Sequence, residues 1–475
     1  MPRHAPWRPT ALVLFAALCV SPRARSEEVP VVPAARAMAL GDALEYALAH
    51  QPQVHSALAE LAARRSEARI PRAGWLPQVG ATAQLIYGTA NNSSALYLNV
   101  PEVDIPRIGG TPSMGTSWTP EASTFAAVSI DQEIYDFGRI AAQSAVADAL
   151  TDVARAGAEA TRLDVELGVE EAFHGVLAAH DVLSATDEAY RRAVAHRDFA
   201  AAGTKTGLRP PIDLTRAEAE VAQLDVQRIR TRSGLRAARA ALAAALGSDA
   251  LEIDAIPLST GQEPAPAFQE ALQTAAKRNP AIAAALSHLA AQTATTRALG
   301  RELLPNLFAA ATLSGRAGGV TPTSGDVPTG DGWLPDIFNW SLGPVLQWNV
   351  FDATMRARRD AAQAREAVAR ADVDVARLNV ALGTQRAWLD LVAALDVLPG
   401  LGKAVDAARA NQAQAEARFK AGLGTIIDVT DADTLLIRAQ LELAIGQFTV
   451  ARSRATLART MGERTSPTPT NPREP

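Results

Sequence analysis

The chain has 475 residues, with 46 basic against 51 acidic side chains and one cysteine; 48% is hydrophobic and only 5% aromatic. A formal charge of −5 without a basic cluster argues against a nucleic-acid partner, and no run of 18 or more apolar residues offers a transmembrane helix. The hydrophobic share comes largely from alanine, in stretches broken by Arg, Glu, Asp and Gln, which reads as helices whose backbones approach closely.

The N-terminus has the pattern of a secretory leader. Arg3 and Arg8 precede the apolar run 11–20, and Ala24 and Ser26 put small residues at −3 and −1 before Glu27. A signal peptide over residues 1–26 is expected, its apolar part too short for a span. Its removal takes away four arginines and leaves 42 basic against 51 acidic side chains, a net charge of −9. Cys19 lies in the apolar run behind Leu18, where a lipoprotein would carry a small residue. It therefore reads as removed with the leader rather than acylated, leaving no disulfide.

The rest of the chain is one unit used twice. Residues 43–88 match 271–316 at a constant offset of 228, and 163–247 match 378–462 at an offset of 215. In the second region Lys205, Gly207, Leu208, Ile212, Asp213, Thr215 and Ala217 recur as Lys420, Gly422, Leu423, Ile427, Asp428, Thr430 and Ala432. The domain organisation expected is a first repeat over 27–247, a linker over 248–267, a second repeat over 268–462, and a Pro/Thr-rich tail over 463–475.

Each repeat opens with helical periodicity, 40–73 in the first, disturbed early by Pro52 and ended by Pro77. Residues 78–88 then alternate, with Val79, Ala81, Ala83 and Leu85 opposite Gln78, Gly80, Thr82 and Gln84. A Gly/Pro/Ser/Asn-rich loop over 89–123 leads to a second alternating stretch, 125–134, where Val128, Ile130 and Ile134 lie opposite Ser129, Asp131 and Glu133. The second repeat shows the same with Leu307 to Leu313, a loop over 316–338, and Trp340 to Val350. Alternation with a polar second face suits a barrel strand with lipid outside and water inside; a surface hairpin on a soluble domain is the plainer alternative.

Long helices follow, over 138–206 and 354–421, each roughly 100 Å at 1.5 Å per residue. Ala149, Val153, Ala156, Ala160, Leu163 and Leu167 space 4-3-4-3-4, a heptad seam of mostly small residues. Return helices over 212–246 and 427–461 are half as long, as are the first helices, so one long helix should lie beside two shorter ones stacked end to end. The fold class expected is mainly α with a small β-barrel portion. Four strands cannot close a barrel, because their edges would stay unsatisfied in hydrocarbon; three chains would supply twelve.

Leu76-Pro77 and Leu304-Pro305 at the helix-to-strand junctions, Tyr135-Asp136-Phe137-Gly138-Arg139 and Phe351-Asp352 after the second strands, and the two Gly-Leu…Ile-Asp turns resemble the TolC family of outer-membrane efflux and type I secretion ducts. The resemblance covers essentially the whole mature chain. It implies a homotrimer with a twelve-stranded outer-membrane barrel and a periplasmic α-helical tunnel, working with a periplasmic adaptor and an inner-membrane pump. A periplasmic coiled-coil adaptor without a barrel is the competing reading.

Candidate functional residues lie at the tight turns. Leu208 and Leu423, beside Lys205, Gly207, Lys420 and Gly422, are exposed leucines with nothing of their own to pack on; they suit plain hairpin turns or, by the resemblance, adaptor docking. Asp428 and Asp431, at i and i+3, match the family's acidic periplasmic constriction, which six carboxylates of a trimer would make cation-selective. Asp213 matches the position of closing contacts between neighbouring coils, and Asp213 and Asp428 could equally cap their helices. The family's basic residue in the second turn is replaced by Gly424. Trp75, Trp340 and Trp348 are candidates for the membrane interface. The seven histidines show no metal-ligand spacing and read as surface positions, and no phosphate-cradling loop or nucleophile elbow appears. No cofactor and no enzymatic activity are expected.

Overall fold

The computed structural model describes residues 36–89, 120–250, 252–257, 264–318 and 337–464. The leader with Cys19, residues 90–119 and 319–336 of the two inter-strand loops, and the tail from 465 lie outside the described residues.

The first repeat begins with β1 (Arg36–Met38), α1 (Leu40–His50), α2 (Pro52–Glu67) and α3 (Ile70–Ala73). It continues through β2 (Gln78–Thr89), β3 (Pro120–Tyr135), α4 (Arg139–Lys205) and α5 (Pro211–Ala245). A short strand, β4 (Ile253–Ala255), follows and pairs in parallel with β1, so the segment read as a linker carries structure of its own. The second repeat is α6 (Phe268–Arg278), α7 (Pro280–Arg301), β5 (Asn306–Gly318), β6 (Ile337–Gln347), α8 (Ala353–Lys420) and α9 (Ile426–Met461).

The single opening helix expected over 40–73 is in fact broken, and both repeats break it the same way. Pro52 and Pro280 each start a helix, and the residues before them, Gln51 and Asn279, are extended with ψ of 120° and 124°, because proline disfavours αR in its predecessor. The break receives the end of the returning helix. Gln51 donates its side-chain amide to the carbonyls of Ala244 and Ala245, and Asn279 donates to that of Thr460. Gly247 and Gly462, both at φ of 70°, press against the same two breaks. A Cβ on Gly462 would stand 2.5 Å from the Arg278 carbonyl oxygen. The returning helix is thus stacked end to end on the opening one, and both lie along α4 or α8. Gly462→Ala combines a left-handed φ with a backbone clash. It should cost about 2–4 kcal/mol, read as a lowered heat-dissociation temperature of the purified protein; an unchanged temperature would count against the junction.

Apolar clusters form at this level in each repeat. Leu44, Val54, Val169, Phe173, Leu242 and Leu246 join α1, α2, α4 and α5, and Ala271, Leu391 and Leu457 join α6, α8 and α9. Farther along, α4 packs on α7 and α9, which holds the two repeats side by side.

The four long strands form one antiparallel sheet in the order β2-β3-β5-β6. Its register aligns the alternation seen in each strand. Ala81, Val128, Leu313 and Trp340 make one continuous row across the sheet, and Val79, Ile130, Ala311 and Leu342 make the next. Between them runs the row Gly80, Ser129, Thr312 and Ser341. Val79, Leu85, Val128, Ile130, Leu313, Trp340, Leu342 and Leu346 are exposed, whereas Ser129, Thr312 and Ser314 are buried. An apolar face turned outward and a polar face turned inward is the inverse of a soluble protein, so the surface-hairpin alternative does not hold. The outer edges of β2 and β6 have no partner strand among the described residues.

Candidate docking tips and periplasmic gate

Opposite the sheet, α4 turns into α5 and α8 into α9 through the same local structure. Gly207 and Gly422 adopt φ of 74° and 75°. Their N–H groups bond the carbonyls of Thr204 and Phe419, and the next residues, Leu208 and Leu423, bond those of Gly203 and Arg418. This paired 6→1 and 5→2 closure is the Schellman motif, which glycine adopts without a Cβ penalty. It leaves Leu208 and Leu423 with 83% and 74% of their surface in solvent. Lys205 and Lys420 end the long helices behind them, and Lys420 pairs with Glu416 at 2.5 Å. That bond is the main cause holding the Glu416 carboxyl below its ordinary range.

The three aspartates occupy different roles. Asp428 closes a capping box: it accepts from the Thr425 backbone N–H at 2.8 Å and hydroxyl at 2.9 Å, while the Thr425 hydroxyl accepts from the Asp428 N–H. The backbone bond leads the causes that depress its pKa, so it stays ionised into acid. Thr425, not Asp428, is therefore the N-cap residue of α9. Asp431 is exposed one turn on. Asp213 is no N-cap either: Pro210 fills that position, and the Asp213 carboxylate lies 3.6 Å from the Arg209 guanidinium.

Arg209, missed in the sequence, joins the two tips. Its guanidinium sits 3.8 Å from the centre of the Phe419 ring, 5.3 Å from that of Phe199, and donates to the Phe419 carbonyl at 2.7 Å. Gly424, its counterpart in the second repeat, lies against the backbone of Arg418 and Phe419 instead. The basic residue absent from the second turn is thus present in the first. Its signal was Arg209 standing four residues before Asp213 in α5's approach.

A buried polar layer lies above the tips. Asp433 of α9 is 2.8 Å from Arg192 Nε and 3.2 Å from His196 Nε2, both on α4. Asp433 and His196 are almost wholly buried, at 2% and 4% exposure. Glu220 of α5 accepts from the Thr430 hydroxyl at 2.9 Å; burial first, and the Asp433 charge after it, raise its pKa. The surface reading of the histidines fails at His196, while His180 keeps a partly exposed position but meets Asp254 at 2.9 Å. His174 is half-buried, and desolvation lowers its pKa. Both carboxylate partners lie dozens of residues away or more, out of reach of any local spacing. No group of three or more metal-ligating side chains occurs among the described residues.

The aromatics sit at the other end. The Trp348 indole donates to the Leu303 carbonyl at 3.1 Å, and the Trp75 carbonyl accepts from the Gln132 amide at 2.6 Å, both at the helix-bearing base of the sheet. Trp340 lies eight residues before Trp348, roughly 26 Å away at strand rise. At the same base Asp136 accepts from the N–H groups of Gly138 and Ile140, and Asp352 from those of Thr354 and Met355. The two Phe/Asp motifs thus turn strand into long helix by capping it.

Long paired hairpins beneath a sheet with an apolar outer face and unpaired edges define an outer-membrane duct with a helical periplasmic tunnel. The sequence profile of the outer membrane efflux protein family matches residues 43–248 and 271–463, and the chain belongs to that family. It resides in the outer membrane, extends into the periplasm, and serves as an exit duct in efflux. Its fold is similar to that of the outer-membrane channel OprN (21% identity, 90% of each chain, TM-score 0.70). It is likewise similar to CmeC of Campylobacter jejuni (15% identity, 89% of this chain and 85% of that one, TM-score 0.71). Vibrio cholerae VceC gives 18% identity over 89% of this chain and 96% of its own, with a TM-score of 0.70. Comparison with curated proteins finds no match.

Proposed function

We propose that three copies of the chain assemble edge to edge, β6 of one against β2 of the next, into a twelve-stranded barrel, and that the hairpin tips dock a periplasmic adaptor served by an inner-membrane pump. The exposed leucine pair on identical turns carries the docking reading: a plain turn gains nothing from two large apolar side chains in water. Transport through the duct is passive, with energy supplied by the pump. Trp75 and Trp348 at the base and Trp340 higher up stand at the two membrane interfaces, a separation consistent with an apolar band about 25 Å tall. Arg209 with Asp213 and Phe419 holds the inner mouth closed, and Asp428 with Asp431 lines it.

Leu208→Asp together with Leu423→Asp tests docking. Export should fall to the level of a strain lacking the protein, while heat-modifiable trimers in the outer membrane persist. Normal export by the double variant would refute tip docking.

A further inference from the structure

We propose that the base of the barrel carries a basic collar that binds anionic phospholipid headgroups in the periplasmic leaflet. Arg69, Arg301, Arg356 and Arg359 come from three different places in the chain, yet all lie near the strand ends: Arg69 is nine residues before β2, Arg301 five before β5, and Arg356 and Arg359 occupy the first two turns of α8. At helical rise the intervening residues put Arg301 roughly 8 Å, Arg69 and Arg356 roughly 14 Å and Arg359 roughly 18 Å from the ends of their strands. All four are exposed, and none has an acidic partner among the described residues. Of the acids at this level, Asp136 and Asp352 are occupied in capping, and Glu67 pairs with Arg64, Glu133 with Arg139 and Asp148 with Arg72, which leaves Glu302 and Asp360, with Asp131 on the inner face of the sheet. The chain as a whole is acidic, so this local excess runs against its composition.

The surface beside these arginines identifies the occupant. Ile70, Leu76, Val350 and Phe351 are exposed and continue the apolar face of the sheet downward. Phe351 is 71% exposed and lies under the Arg356 guanidinium, 4.8 Å from it. An apolar belt that passes directly into unpaired guanidinium groups matches the depth order of acyl chain and then phosphate. The headgroup layer on one side of a bilayer is roughly 5–7 Å thick, so Arg301 falls at its inner edge and the other three beneath it, where long arginine side chains extend toward the phosphates. A soluble polyanion such as a glycan strand would use the charge but leave the belt exposed. Arginine forms bidentate bonds to phosphate oxygens, and a lipid bearing net negative charge adds attraction that a zwitterionic lipid lacks.

The inference rests on the sheet lying in the outer membrane. Full-length protein is reconstituted into vesicles of equimolar phosphatidylglycerol and phosphatidylcholine, extracted gently, and its retained lipids counted by native mass spectrometry. Phosphatidylglycerol should be retained at least about fivefold over phosphatidylcholine. The preference should fall to near unity when the four arginines become glutamine, and persist when they become lysine. Glycerol phosphate in solution should not compete. Equal retention of the two lipids by the unmodified protein, or an undiminished preference in the glutamine variant, would overturn the collar. Displacement by glycerol phosphate would make it a free-phosphate site and overturn it too. Retention of neither lipid would instead reject the membrane placement itself.

Discussion

Asp433→Ala should separate the two hairpins above their tips. Among the described residues the carboxylate is the only acidic group within ion-pair distance of both Arg192 and His196, and it faces them from α9 while they project from α4. Removing one member of a buried charged cluster leaves the other uncompensated, which costs about 3–5 kcal/mol. The loss falls on contacts between repeats rather than within a hairpin, since residues 192 and 433 are 241 positions apart. Amide exchange should therefore accelerate along the lower thirds of α4 and α9 together, while the region around Phe173 and Leu242 keeps its protection. Asp433→Asn retains the volume and one acceptor for Arg192, so it should show a smaller change. Unaltered exchange in the alanine variant would mean that the Asp433 cluster does not hold α4 against α9, leaving that work to apolar packing and to the pairs Arg452–Glu171 and Arg459–Asp164.

This cluster marks the limit of what local sequence carries. Helix-length periodicity, the offsets of 228 and 215, and period-two alternation suffice to foresee the duplicated unit, because each follows from neighbours in the chain. Even strand ends depend on partners: residues 348–350 continue the alternation, yet β6 stops at Gln347, where β5 begins opposite it at Asn306. In the same way β3 extends to Pro120 because β2 runs on to meet it at Thr89. The glycines at 247 and 462 recur at the repeat offset, but their purpose appears only once each is seen against the proline break of an earlier helix. Arg209 and Asp433 were harder still. Both lie outside the identities shared by the repeats, since their counterparts are Gly424 and Glu218. Comparing repeats finds what the two hairpins have in common and passes over what makes them join each other.

That asymmetry gives the second large effect. Arg209→Ala should open the inner mouth. The guanidinium stacks on Phe419, donates to its carbonyl, and lies beside Asp213, with only 13% of its side chain exposed. A hydrogen bond from a charged donor contributes about 1.5–3 kcal/mol and a shielded cation–π contact about 1–2 kcal/mol. Part of that will be recovered by water, so a net loss of about 2–3 kcal/mol is reasonable. Such a loss raises a minor open population roughly 30- to 150-fold. Single-channel recordings in planar bilayers should show it as a higher mean conductance. Phe419→Leu removes the ring but spares the carbonyl, and should produce an intermediate opening. Wild-type conductance in the Arg209 variant would place the lock elsewhere. Cation selectivity is a separate readout of the same mouth, lowered by Asp428→Asn with Asp431→Asn rather than by loss of Arg209. Because the bonds from Thr425 depress the Asp428 pKa, its charge is complete above the ordinary carboxylate range and disappears only as pH falls through the lowered value. Selectivity should therefore survive mild acid in the Arg209 variant even with the mouth open, which separates holding the gate from lining it.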